Sequence, residues 1–137
     1  MARILVIEDE DPMRRMIRQM LERDGHEVVE ARDGAEGIRR FGEQPTDLVV
    51  VDIYLPGKNG WETIRGLDEI APGVPFILVS SSAPLEGLKP GARGTLDSRR
   101  RPGEFRILRK PFEWRALSDA VGELVGVGRA PRAEVGR

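Results

Sequence analysis

The sequence predicts an α/β fold, a doubly wound five-stranded parallel sheet in which the fourth helix is short or irregular. Three observations carry this. Residues 4–7 (ILVI), 48–51 (LVVV) and 76–79 (FILV) are apolar without alternation, as in strands covered on both faces. Segments of helical spacing separate these runs, so the chain reads β-α-β-α-β-α-β-(irregular)-β-α, the order of a parallel sheet with right-handed crossovers. Polar residues stand just past the strand ends, where open α/β sheets form their ligand crevice.

The elements follow in order. Ile4 to Ile7 form the first strand and run into Glu8, Asp9, Glu10 and Asp11. Asp11-Pro12 reads as a helix cap followed by a first-turn proline. Met13, Met16, Ile17, Met20 and Leu21 share one helical face, and Gly25 ends that helix. Val28, Val29 and Ala31 mark a weaker strand, and Asp33-Gly34 a turn. Ala35, Ile38 and Phe41 make a short helix stopped by Gly42 and Pro45. The third strand ends at Asp52, before a loop containing Pro56, Gly57, Asn59 and Gly60. Trp61, Ile64, Leu67 and Ile70 give the third helix. The fourth strand ends in Ser80, Ser81 and Ser82. Residues 83–103 mix apolar positions with Pro84, Gly87, Pro90, Gly91 and Gly94, predicting a turn or two of helix and then loop. Phe105, Ile107 and Leu108 alternate with Arg106 and Arg109, suiting an edge strand. Trp114, Leu117, Val121 and Leu124 place one face of the last helix against the core. We therefore expect a domain over residues 1–125 and a flexible tail over 126–137.

Composition narrows the function. The 137 residues are 39% hydrophobic and 33% charged, with formal net charge -1, a globular balance with no overall bias towards nucleic acid or membrane. The absence of cysteine excludes a disulfide scaffold, a thiolate zinc site and a cysteine nucleophile. The single histidine, His26, excludes a His-rich metal site and reads as a surface residue. No apolar run approaches membrane length and no signal peptide is apparent, so we expect a cytoplasmic protein. Residues 86–110 carry eight Lys or Arg against three acids, which reads first as a solvated loop and second as a patch for an acidic partner.

Asp52 alone reads equally well as a site residue or as one that simply ends a strand or caps the next turn. The other strand ends change that: Glu8 and Asp9 on the first strand, Ser80 on the fourth, Lys110 on the fifth. Three carboxylates on one sheet edge coexist ionised only with a cation among them. Oxygen ligands of this kind suit Mg²⁺. A carboxylate beside Mg²⁺ can attack phosphorus, with a lysine and a hydroxyl to hold the phosphoryl oxygens.

With these residues in view, the chain resembles the receiver domain of two-component response regulators over residues 1 to about 125. The matching stretches are ILVIEDE, DIYLPGKNG from Asp52, Ser80 after FILV, and Lys110-Pro-Phe. The resemblance implies the flavodoxin-like (CheY-like) strand order 2-1-3-4-5. It implies that Asp52 accepts a phosphoryl group from a phosphohistidine on a sensor histidine kinase or histidine phosphotransfer protein. Mg²⁺ would be held by Glu8, Asp9, Asp52 and the main-chain carbonyl of Tyr54, whose ring would act as a lid. Ser80 and Lys110 would contact the phosphoryl group, with Ser81 the alternative hydroxyl if the register slips. Lys110–Pro111 is a candidate cis peptide. The output would be partner binding or homodimerisation; the sequence names no downstream target and carries no nucleic-acid-binding domain.

The chain departs from the family in three places. Its fourth-helix region is broken by glycine and proline, Ile107 stands where the family often has a switch aromatic, and the hydroxyl is Ser80 rather than Thr. These departures predict an atypical readout surface. They also keep open a degenerate receiver that binds a partner without phosphorylation. A haloacid-dehalogenase-like phosphatase is a further alternative, with Asp9-Glu10-Asp11 as its Asp-x-Asp start, although Pro12-Met13 fits that motif poorly.

Overall fold

A computed structural model describes residues 2–80 and 104–136, with side chains described through residue 125. Five parallel strands, β1 (Arg3–Ile7), β2 (Glu27–Ala31), β3 (Leu48–Asp52), β4 (Phe76–Ser80) and β5 (Phe105–Arg109), form one sheet in the order β2-β1-β3-β4-β5. The four helices among the described residues are α1 (Asp11–Arg23), α2 (Gly34–Glu43), α3 (Gly60–Ile70) and α4 (Trp114–Gly136). This is the predicted doubly wound architecture. Residues 83–103, where a short or irregular fourth helix is expected, and with them most of the basic stretch, lie outside the described residues. The last helix continues past residue 125, where the sequence predicts a tail.

Side-chain alternation along each strand divides the core in two. Leu5, Ile7, Val49, Val51, Phe76 and Leu78 face one side, against Phe41 of α2 and Trp61, Ile64 and Leu67 of α3. Ile4, Val6, Leu48, Val50, Ile77 and Val79 face the other, against Ile17 and Leu21 of α1 and Leu117, Val121 and Leu124 of α4. Because both faces are covered, consecutive strand residues are all buried, which is why the runs lack polar alternation. Burying each such side chain is worth roughly 1.5–3 kcal/mol. β5 has one neighbour and is only partly buried, as its interleaved arginines predict.

Four local expectations are corrected or extended. Asp11 does not cap α1; Glu10 holds the cap position without a side-chain bond, and Asp11 pairs with Arg14 at 2.6 Å. Asp33 is a cap as well as a turn residue, accepting from the Glu36 N–H at 2.8 Å. Trp114, expected on a core face, is 38% exposed because it begins α4 beyond the edge of the buried stripe. His26 is half-buried rather than a plain surface residue, and its Nδ1 accepts from the Ala2 N–H at 3.0 Å.

Candidate functional site

Parallel pairing brings the carboxyl ends of β1, β3, β4 and β5 to one edge. Ile7 pairs with Val51, Asp52 with Val79, and Ser80 with Arg109. Backbone bonds extend the alignment past the strands: Glu8 N–H to Ala31 O at 3.0 Å, Ile53 N–H to Val79 O at 2.9 Å, and Lys110 N–H to Ser80 O at 2.7 Å. The next side chains therefore converge.

Lys110 is the centre of the cluster. Its Nζ donates to Asp52 Oδ2 at 2.8 Å and to Glu8 Oε1 at 3.0 Å. Burial works against its charge, but the hydrogen bonds to Asp52 and Glu8 outweigh that and raise its pKa. Asp52 is held on its other oxygen, with Oδ1 accepting from the Tyr54 N–H at 2.8 Å. Glu8 Oε2 accepts from the Glu10 N–H at 3.2 Å. Glu8 is buried, and burial first and the Asp52 charge second push its pKa to about 7. One lysine thus incompletely offsets the negative charge gathered here.

Asp9 completes the acidic set from a more exposed position. One carboxylate oxygen from each of Glu8, Asp9 and Asp52 lies within 4.8 Å of the other two. This is a donor set of hard oxygens, with surplus negative charge, of the kind Mg²⁺ takes. Ser80 is 1% exposed, and its Oγ has no hydrogen-bond partner among the described residues. Ser81 lies outside the described residues. Tyr54, whose N–H reaches Asp52, is itself 50% exposed. The Lys110–Pro111 peptide is cis.

Two further features set this geometry. Gly60, the first residue of α3, lies so close to β3 that a Cβ there would stand 2.7 Å from the Asp52 main-chain oxygen and 2.8 Å from Ile53 Cα. Its N–H bonds Ile53 O at 2.8 Å, so the loop after Asp52 closes tightly on itself. Asn59 and Glu62 then cap α3 reciprocally, each side chain accepting the other's backbone N–H at 2.9 Å. Ile107 pairs with Leu78 and packs, half-buried, against the cluster holding Trp61, Phe76 and Phe105. Those three rings touch one another, with Phe76 and Phe105 stacked at 5.2 Å.

Among the described residues, no helix is long and apolar enough to cross a membrane. The model of the response regulator receiver domain family matches residues 4–121. The chain is 30% identical over 125 residues to the response regulator receiver protein CpdR of Brucella abortus, covering 91% of this chain and 98% of that one. It is 26% identical over 122 residues to the chemotaxis protein CheY of Halobacterium salinarum, covering 89% and 95%. A solved receiver domain from Clostridium thermocellum superposes with TM-score 0.80 at 30% identity, covering 95% and 98%. Another, from Sinorhizobium medicae, superposes with TM-score 0.76 at 28% identity, covering 92% and 95%. With sequence, strand order and the acid–lysine edge in agreement, the chain belongs to the response regulator receiver domain family.

Proposed function

We propose that this chain is a phosphoacceptor switch in which Asp52 receives a phosphoryl group from a phosphohistidine on a sensor histidine kinase or histidine phosphotransfer protein. The observation that carries the reading is Lys110 bridging Asp52 and Glu8 on the edge that also holds the Ser80 hydroxyl, buried and without a partner among the described residues. The donor phosphorus accepts a carboxylate oxygen of Asp52, a P–O bond forms, and the P–N bond to the histidine breaks. Lys110 follows the transferred group and places its charge on the new oxygens. Ser80 donates its hydroxyl to one of them, which accounts for a buried polar group without a partner among the described residues. The Tyr54 N–H holds Asp52 in a fixed rotamer for the attack. Glu8, Asp9, Asp52 and the Tyr54 carbonyl would hold Mg²⁺, which when bound neutralises charge on the phosphoryl oxygens.

Lys110 contacts Asp52 and Glu8, a further reason to place the nucleophile at Asp52 rather than at Asp9, where a phosphatase would have it. On this reading the only chemistry is the chain's own phosphorylation and its reversal, in the cytoplasm, by a unit over residues 1–125 from which the last helix extends. The readout works through partner binding or homodimerisation.

The test is intact mass after incubation with acetyl phosphate and MgCl₂. Wild type gains one phosphoryl group, Asp9→Asn retains a slow gain, and Asp52→Asn gains none. An unmodified wild type would favour a receiver that binds its partner without phosphorylation.

A further inference from the structure

We propose that Arg14 is a positioning residue for the metal-binding carboxylates, because its guanidinium grips the peptide from which Glu8 and Asp9 both project. The inference rests on the reading that these acids hold Mg²⁺. Arg14 is largely buried, with its side chain 13% exposed, and it spends its donors on three acceptors. Nη1 donates to the Glu8 main-chain oxygen at 2.9 Å, Nε to Glu30 Oε1 at 3.0 Å, and Nη2 to Asp11 Oδ1 at 2.6 Å.

The first of these contacts matters most. The Glu8 carbonyl belongs to the planar peptide that joins Glu8 to Asp9. Fixing its direction sets the backbone torsions on both sides, and so the directions in which both carboxylates leave the chain. The preceding peptide is fixed separately, by the Glu8 N–H on Ala31 O. Glu8 has further anchors in Lys110 and the Glu10 N–H. Asp9 is exposed and its side chain makes no hydrogen bond among the described residues, so among these the backbone sets its aim. The Asp11 and Glu30 contacts anchor the guanidinium to the far side of the same turn and to β2. A fork of donors in one plane can meet these three acceptors together, and a lysine cannot.

Arg18 supplies the control. Its Nη1 donates to the other oxygen of Glu30 at 2.7 Å, so it shares the Glu30 contact without the Glu8 carbonyl. Losing Arg18 weakens the same surface network and leaves the grip on the turn.

The experiment uses Mn²⁺ as the probe, followed by electron paramagnetic resonance, on the full chain as wild type, Arg14→Ala, Arg14→Lys and Arg18→Ala. Backbone ¹⁵N relaxation in EDTA provides a metal-free readout. Arg14→Ala should weaken Mn²⁺ by about 10- to 100-fold, the usual loss for a group that orients ligands. Arg14→Lys should fall between it and wild type, and Arg18→Ala should stay within about twofold. In EDTA, the Asp9 and Glu10 amide order parameters should drop below about 0.6 in Arg14→Ala and stay rigid in Arg18→Ala. If Arg14→Ala does not fold, the Asp9 and Glu10 amides of Arg14→Lys decide the matter in the same way. The proposal is overturned if Arg14→Ala binds Mn²⁺ as wild type does, if Arg18→Ala loses as much affinity, or if both amides stay rigid without Arg14. A wild type that takes up no Mn²⁺ contradicts the phosphoacceptor reading itself, while the EDTA relaxation still decides for or against the grip.

Discussion

Replacing Glu8 with Gln should change how stability depends on pH, in a direction opposite to the usual carboxylate. Most native carboxylates are better solvated or paired than in the unfolded chain and stabilise the protein as pH rises. Glu8 is pushed the other way, from 4.5 to about 7, by burial and by the charge of Asp52. The folded state therefore binds this proton more tightly than the unfolded state. The contribution is fully present below about pH 4.5 and is lost as pH rises through about 7. At about 1.4 kcal/mol per pH unit, a shift of this size amounts to about 3 kcal/mol. Glu8→Gln keeps the side-chain shape and one acceptor and removes the titration. At pH 5 the variant should lie within about 1 kcal/mol of wild type, the cost of one imperfect hydrogen bond. At pH 8 in EDTA it should be the more stable protein, the difference having moved in its favour by up to about 3 kcal/mol. Urea unfolding at both pH values measures this, and taking the difference between proteins cancels the other titrating groups. Excess Mg²⁺ at pH 8 should then restore wild type more than the variant, because a ligand stabilises the state that binds it. If the wild-type-minus-variant difference moves by less than about 0.5 kcal/mol between pH 5 and 8, burial and the Asp52 charge do not hold the Glu8 proton in the folded state.

Three further outcomes are expected. Gly60→Ala should cost about 2–3 kcal/mol and slow phosphorylation of Asp52, because the new Cβ meets main-chain atoms of Asp52 and Ile53 that have nowhere to go; denaturant unfolding and phosphorylation rate check the two halves. Asn59→Ala should cost about 1 kcal/mol through loss of the α3 capping box while leaving the Mg²⁺ affinity of the site within about twofold; unfolding and metal titration separate these. His26 has its pKa lowered by burial first and by the N-terminal amine second, and neutral Nδ1 must stay an acceptor for the Ala2 N–H. Stability should fall as pH drops below the ordinary histidine range, by about 1 kcal/mol for the hydrogen bond at stake. The fall should be absent in His26→Ala, measured as a difference in unfolding midpoints between pH 7 and 5.

Much of this was legible before the structure because parallel sheets make strand ends coincide. Glu8, Asp52, Ser80 and Lys110 are scattered over 102 positions, yet the first three directly follow or close apolar runs and Lys110 follows the last residue of β5, so register alone brings them together. The arginines of β5 likewise gave away its edge position. Helix ends were harder. Asn59-x-x-Glu62 is a capping-box pattern that can be read from sequence, but the neighbouring Pro and Gly drew it into a loop. Asp11 looked like a cap, and only the reach of Arg14 shows that its carboxylate is taken. Trp114 sits at helical spacing from Leu117, but spacing does not tell where the sheet beneath ends. The Arg14 grip on Glu8 left no trace, since a long side chain meeting a main-chain oxygen follows no period or motif.

The position at which a phosphoryl group is attached separates Asp52 from Asp9 most directly. An acyl phosphate is reduced by borohydride to the alcohol, so phosphorylated aspartate is recorded as homoserine at its own position. After incubation with acetyl phosphate and Mg²⁺, reduction and peptide mass mapping should find homoserine at position 52, none at position 9, and none anywhere once EDTA replaces Mg²⁺. Homoserine at position 9, or an unmodified Asp52 in protein that demonstrably binds Mg²⁺, would contradict the central claim.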